Sequence, residues 1–235
     1  MRILGLDIGT HSAKGVELDA SFKKFQIHND HVLPIAPGEK ASHVAKKLVE
    51  SLKKRPDRIV IGLPSHQATF RNLAAPSKNK KALQAAVAYE LEDELPFEMD
   101  DATFDFAVLK QNKGLADVHA EATLTQYVEN LIQDLRSEGL EPEVITSPIW
   151  AYRCLLNRVI TQIEDQDKPT LLFHMGHSST DLYLHWQGQP IAFRSLNIGS
   201  QKITQAIMEK YKLSEEEAQK TQRENGFILT HSQRE

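Results

Sequence analysis

A pattern that occurs twice constrains this chain more than any single motif. From Ile3 to Leu18 the sequence runs apolar strand, short glycine-hydroxyl turn, apolar strand, with alternation through Ile3–Ile8 and Ala13–Leu18. Thr170–Leu184 repeats that order, and setting Gly9 on Gly176 places Ser12 opposite Ser179 and Asp7 opposite His174. The sequels match as well. A strand near Phe25–Val32 and a helix near Ser42–Lys53 follow the first pattern; a strand at Pro190–Ile198 and a helix at Ser200–Tyr211 follow the second. Such a repeat predicts two like halves. Facing each other, they would set two hydroxyl-rich turns across one cleft, able to grip a nucleoside triphosphate from both sides.

The residues of the turns suit that chemistry. Gly9 and Gly176 let backbone approach a ligand, and the N–H groups and hydroxyls around Thr10, Ser12, Ser178, Ser179 and Thr180 can hold phosphate oxygens. Asp7 is placed to hold a hydrated Mg²⁺, and Lys14 supplies a point charge for phosphate. His11, His174 and His177 would converge on the same cleft, where an imidazolium is a phosphate partner; no carboxylate or thiolate pattern accompanies them to make a metal cage.

Composition excludes several classes. A net charge of -4 argues against nucleic acid as the main partner. The single cysteine, Cys154, rules out an internal disulfide framework, fits a reducing cytoplasm, and is expected to be a buried inert thiol. The N-terminus shows no signal-peptide pattern, and no apolar run approaches the roughly 20 residues that span a bilayer.

Between the two halves the composition shifts. A continuous apolar run at Arg58–Leu63 predicts a strand buried on both faces, and Gln67–Leu73 a short strand before Pro76. Asn79–Leu95 predicts a long helix, Thr103–Leu109 and Asp117–Leu124 two strands, Gln126–Arg136 a helix capped by Gly139, Glu143–Ile145 a strand, and Ile149–Ile163 a helix. The reading is an α/β chain of three parts: a first half at 1–78, an inserted α+β subdomain at 79–147, and a second half at 148–235. No counterpart of Arg58–Leu63 follows Tyr211, so the second half is expected to be incomplete and the chain a fragment; Leu213–Glu224 reads as a charged helix.

Gly5-Leu6-Asp7-Ile8-Gly9-Thr10, with Ser12 and Lys14, resembles the first phosphate loop of the actin-like ATPase superfamily. Leu95-Pro96-Phe97-Glu98-Met99, the Ser137–Pro142 turn, the stretch from Gln189-Pro190 to Gly199, and the Leu213–Glu224 helix resemble, in order, segments of the PilM/GspL group of type IV pilus and type II secretion proteins. The resemblance implies an actin-like fold of two ribonuclease-H-like halves and a cytoplasmic platform or scaffold peripheral to the inner membrane. It implies partners such as a PilN-like peptide or GspE- and GspM-like proteins, assembly into a homo-oligomer or ring, and coupling of the inner-membrane complex to its assembly ATPase. It also implies ATP with Mg²⁺ between the loops, with Asp7, Gly9, Thr10, His11, Ser12 and Lys14 on one side and Gly176, His177, Ser178, Ser179 and Thr180 on the other. Where the superfamily opens its second loop Asp-x-Gly, this chain has His174-Met175-Gly176, which removes a carboxylate from the metal's surroundings and predicts a weakened, vestigial ATP site without hydrolysis. The family's adenosine-binding segment is expected beyond Glu235. For partner capture, the Asn79–Leu95 helix, the Thr103–Leu109 strand and Phe97 are the candidates. A sugar or acyl kinase of the same superfamily is the competing reading and would need a catalytic aspartate in the cleft. A cell-division protein of the FtsA type is a third.

Overall fold

The computed structural model describes residues 1–22, 24–76, 79–112, 114–160 and 168–226. Strands β1 (Arg2–Ile8), β2 (Ser12–Ser21) and β3 (Lys24–Pro34) form an antiparallel meander. Helix α1 (Ala41–Glu50) then crosses over, so that β4 (Arg58–Gly62) runs parallel to β1. The sheet order is β3-β2-β1-β4-β8, the last strand (Val144–Thr146) arriving from much later in the chain. Leu4, Leu6, Ala13 and Ile61 on the sheet meet Val44, Ala45 and Leu48 of α1 and Leu135 of α3 (Thr125–Ser137), all buried. Burying each large aliphatic side chain stabilises the fold by about 1.5–3 kcal/mol. The helix lies close because β2 has Gly15 beneath it; a Cβ there would meet Leu48 Cδ2 at 2.8 Å.

Among the described residues, only that face of the sheet is packed against helices. The other, carrying Gly5, Asp7, Lys14, Val16, Val60 and Gly62, forms the floor of a cleft. This corrects the expectation that the Arg58–Leu63 strand is buried on both sides: Ile61 is buried, whereas Val60 and Gly62 line the open side.

β5 (Thr69–Pro76), α2 (Lys80–Glu92), β6 (Ala102–Asn112) and β7 (Leu115–Leu124) make the inserted subdomain, an antiparallel sheet in the order β5-β7-β6. Asn79 caps α2 by accepting the Ala82 N–H at 2.9 Å. Leu83, Val87 and Leu91 pack onto Ala75, Ala116, Val118 and Ala120, small residues that bring helix and sheet together. Sheet membership divides the chain at other residues than those read from composition. β5 belongs to the insert although it precedes residue 79, while α3 and β8 pack with the first half although they precede residue 148.

In the second half, α4 (Pro148–Ile160) covers one face of the meander β9 (Thr170–Met175), β10 (Thr180–Trp186) and β11 (Gln189–Leu196), with Ile149, Leu156 and Tyr183 buried between them. The predicted extension of that helix to Ile163 falls outside the described residues. Helices α5 (Ser200–Tyr211) and α6 (Glu215–Asn225) follow, the latter started by a full capping box between Ser214 and Glu217. Cys154 is exposed on α4, not buried as expected, because the helix turns Ile149, Tyr152 and Leu156 inward and leaves position 154 outside their stripe.

The insert leans on the second half. Asn72 of β5 donates to the carbonyls of Pro190 and Ile191 on β11, at 3.2 and 3.1 Å. Its Oδ1 bonds His119 Nδ1 at 3.2 Å, and His119 Nε2 reaches Glu121 Oε1 at 2.9 Å. Phe70 packs on the His119 ring, centroids 4.0 Å apart, and Trp150 of α4 meets that ring edge-on.

Candidate functional site

The cleft between the halves has a volume of about 880 Å³ and is lined by both glycine turns. The turns close alike: Gly9 N–H donates to Ser12 O at 3.0 Å, and Gly176 N–H to Ser179 O at 2.8 Å. In each, a Cβ on the glycine would stand 3.1 Å from the same accepting carbonyl, tight enough to distort the turn. Asp7, Gly9, Thr10, His11, Ser12 and Lys14 line the cleft from one side, and Gly176, His177, Ser178 and Ser179 from the other. Thr180 does not. It is buried, and its hydroxyl donates to the Ile198 carbonyl, because alternation along β10 turns it away from the cavity.

The loops touch. Thr10 Oγ1 donates to Ser178 Oγ at 3.2 Å, and the rings of His11 and His177 stack with centroids 4.5 Å apart. Burial and the neighbouring His11 together hold the His177 pKa below the ordinary imidazole range. Lys14 Nζ is 2.9 Å from Asp7 Oδ2, so the carboxylate and the cation predicted for metal and phosphate neutralise each other.

Beneath the loops lies a polar cluster that the sequence reading missed. Asp181, its side chain 4% exposed, stands across from His174 in the β9–β10 register. Ser65, in the turn after β4, donates to Asp181 Oδ2 at 2.6 Å, and Tyr152 OH donates to the same oxygen at 2.7 Å. Tyr152 has one proton, so its contact with His174 Nδ1 at 2.8 Å requires the imidazole to donate. Burial alone would push the Asp181 pKa up; the donors His174, Ser65 and Tyr152 outweigh it and hold the group below the usual carboxylate range. The carboxylate lifts the His174 pKa, and burial raises that of Tyr152. Asp181 Oδ1 has no partner at hydrogen-bond geometry, and the nearby Ser195 hydroxyl is likewise unsatisfied. A carboxylate thus stands beside His174 on the neighbouring strand.

Gln219, Gln222 and Arg223 of α6 also reach the cleft, with Gln222 Oε1 fixed by Thr204 Oγ1 at 2.8 Å. Their spacing puts them on one helical face, the signal by which the charged helix could have been assigned to the cavity. The cavity size falls within the range of small-molecule sites. Among the described residues no three His, Cys, Asp or Glu gather as a metal cage. Glycine turns, hydroxyls, a lysine and a carboxylate are groups of the kind that phosphate and a hydrated divalent cation take.

Two sheets, each opened by a glycine turn, facing across a cleft and carrying a subdomain inserted in the first half, define an actin-like ATPase fold. The chain belongs to the family described as type IV pilus assembly protein PilM, which it matches over residues 5–231. Among solved structures it is similar to a chain of the PilM–PilN type IV pilus biogenesis complex, at 25% identity and a TM-score of 0.82, covering 96% of this chain and 70% of that one. The cytoplasmic domain of EpsL, an inner-membrane component of the type II secretion system of Vibrio cholerae, shares the fold at 11% identity and a TM-score of 0.53, covering 91% of this chain and 78% of that one. So does a Bacteroides thetaiotaomicron protein with an actin-like ATPase fold, at 12% identity and a TM-score of 0.50, covering 90% and 76%. Among the described residues no helix is long and apolar enough to cross a membrane.

Proposed function

We propose that this chain is a cytoplasmic scaffold, peripheral to the inner membrane, of a type IV pilus or type II secretion machine. In this reading it captures an extended PilN-like peptide of an inner-membrane partner, carries Mg²⁺ and ATP in its cleft as a structural ligand, and couples the membrane complex to the assembly ATPase. The observation that carries it is the likeness to the PilM–PilN chain over 96% of this sequence. In the cleft, the two turns would hold the phosphates, Lys14 would release Asp7 to a hydrated Mg²⁺, and Arg223 would offer its planar guanidinium to the base.

On the insert, β6 is the outer strand of its sheet and Val108 on it is 45% exposed, so an extended peptide can add to that edge. Phe97 is half-buried. The test is a titration of the chain with a synthetic cytoplasmic N-terminal peptide of a PilN-type protein, with and without Mg²⁺ and ATP, and with Val108→Arg. Saturable binding that Val108→Arg weakens, with the thermal midpoint unchanged, is the expected result. ATP-dependent phosphorylation of a small alcohol or carboxylate would instead establish the kinase reading.

A further inference from the structure

The contacts between the two loops are reciprocal. In each loop, the residue after the glycine touches the second residue after the glycine in the other: Thr10 bonds Ser178, and His177 stacks on His11. The backbones beneath are pinned. Ile35 N–H holds the His11 carbonyl at 2.8 Å, and Gln201 N–H, at the start of α5, holds the His177 carbonyl at 3.0 Å. The parts free to move are therefore the two rings and two hydroxyls, the groups that a phosphate chain needs and that here satisfy each other.

We infer that the His11–His177 stack is a proton-taking clasp for a phosphate chain: an incoming polyphosphate parts the rings and is held by both as imidazolium. Two stacked imidazoles disfavour a second charge, and an anion between them reverses the balance. The charged and titratable groups facing the pair pull in both directions. Asp7 is neutralised by Lys14; His174 and Asp181 lie deeper; His66 follows β4; Glu215 and Arg223 approach from α6. None of them is placed to replace the two rings as paired donors from opposite loops.

The inference rests on the nucleotide reading above, and the experiment separates the two. ATP and inorganic tripolyphosphate are titrated into the chain from pH 6 to 8, by calorimetry in buffers of different ionisation heat. The clasp requires net proton uptake near pH 7.5 and affinity that strengthens towards lower pH, approaching about tenfold per pH unit for each proton taken up. His11→Gln with His177→Gln should abolish both the uptake and the slope. Binding that is flat with pH and free of proton uptake overturns the clasp and leaves the nucleotide reading standing; no binding of either compound anywhere in the range overturns both. Histidine ring resonances give a readout independent of affinity. That of His11 should shift on His177→Gln and on adding tripolyphosphate, and a resonance indifferent to both overturns the clasp.

Discussion

Ser65 Oγ donates to Asp181 Oδ2 at 2.6 Å, a buried bond between residues 116 positions apart. It ties the turn after the last strand of the first crossover to the middle of the second-half sheet, at the base of the cleft. Ser65→Ala leaves Tyr152 as a donor to that oxygen and should cost about 1.5–3 kcal/mol, the range for a hydrogen bond to a charged group. Asp181→Ala removes the acceptor that Ser65 and Tyr152 share and should cost more. Denaturant unfolding of the three proteins checks the order.

The same cluster sets a pH dependence. The Asp181 pKa is depressed in the fold, so its stabilisation is present above the unfolded carboxylate range and is lost as pH falls through the folded value. The His174 pKa is raised, so its stabilisation is complete below the ordinary imidazole value and is lost as pH rises through the folded one. Thermal midpoints should therefore peak between those limits. His174→Gln should flatten the alkaline limb and reduce the acid limb to the part held by Ser65 and Tyr152, while Asp181→Asn should weaken both, because each group's shift depends on the other.

Gly199 precedes α5 where a Cβ would run into the His177 carbonyl. Gly199→Ala must push the second loop off the α5 N-terminus. The cost should be about 1–3 kcal/mol, with loss of hydrogen-exchange protection at Gln201, whose amide bonds that carbonyl. At Gly15 the same substitution meets the flexible ends of Leu48 and Leu4 and should be milder.

Asn72→Ala removes, at an exposed position of β5, both donors to β11 and the partner of the buried His119 Nδ1. A loss of about 1–3 kcal/mol follows from leaving the buried His119 Nδ1 unsatisfied. Faster exchange confined to β5, β7 and β11 would mark it as a local loosening of the insert.

The repeat made the hairpins, their Gly turns and ten of the eleven predicted cleft residues legible, because alternation and turn chemistry are local. Thr180 failed because it stands where the first repeat has the buried Ala13, the position at which strand alternation turns the side chain away from the cleft. Asp181 and Ser65 were illegible for a different reason: their meeting depends on how the halves pack, which no periodicity encodes. The insert's limits failed likewise, since strand pairing decides that β5 leaves the first sheet and β8 joins it. The polar face of α6 was present in the spacing of Gln219, Gln222 and Arg223, but the density of charge around it masked it as surface.

The Asn72 junction has a mechanical consequence. The insert grows out of the first half, yet its anchor at Pro190 and Ile191 is on the second, so it forms a strut closing a triangle whose other corners are the Ser65–Asp181 bond and the Thr10–Ser178 contact. A triangulated frame resists hinging until one corner yields. Tension applied to the insert from outside passes along β5 directly into β11, and a force on one side of the cleft is felt on the other without first opening it.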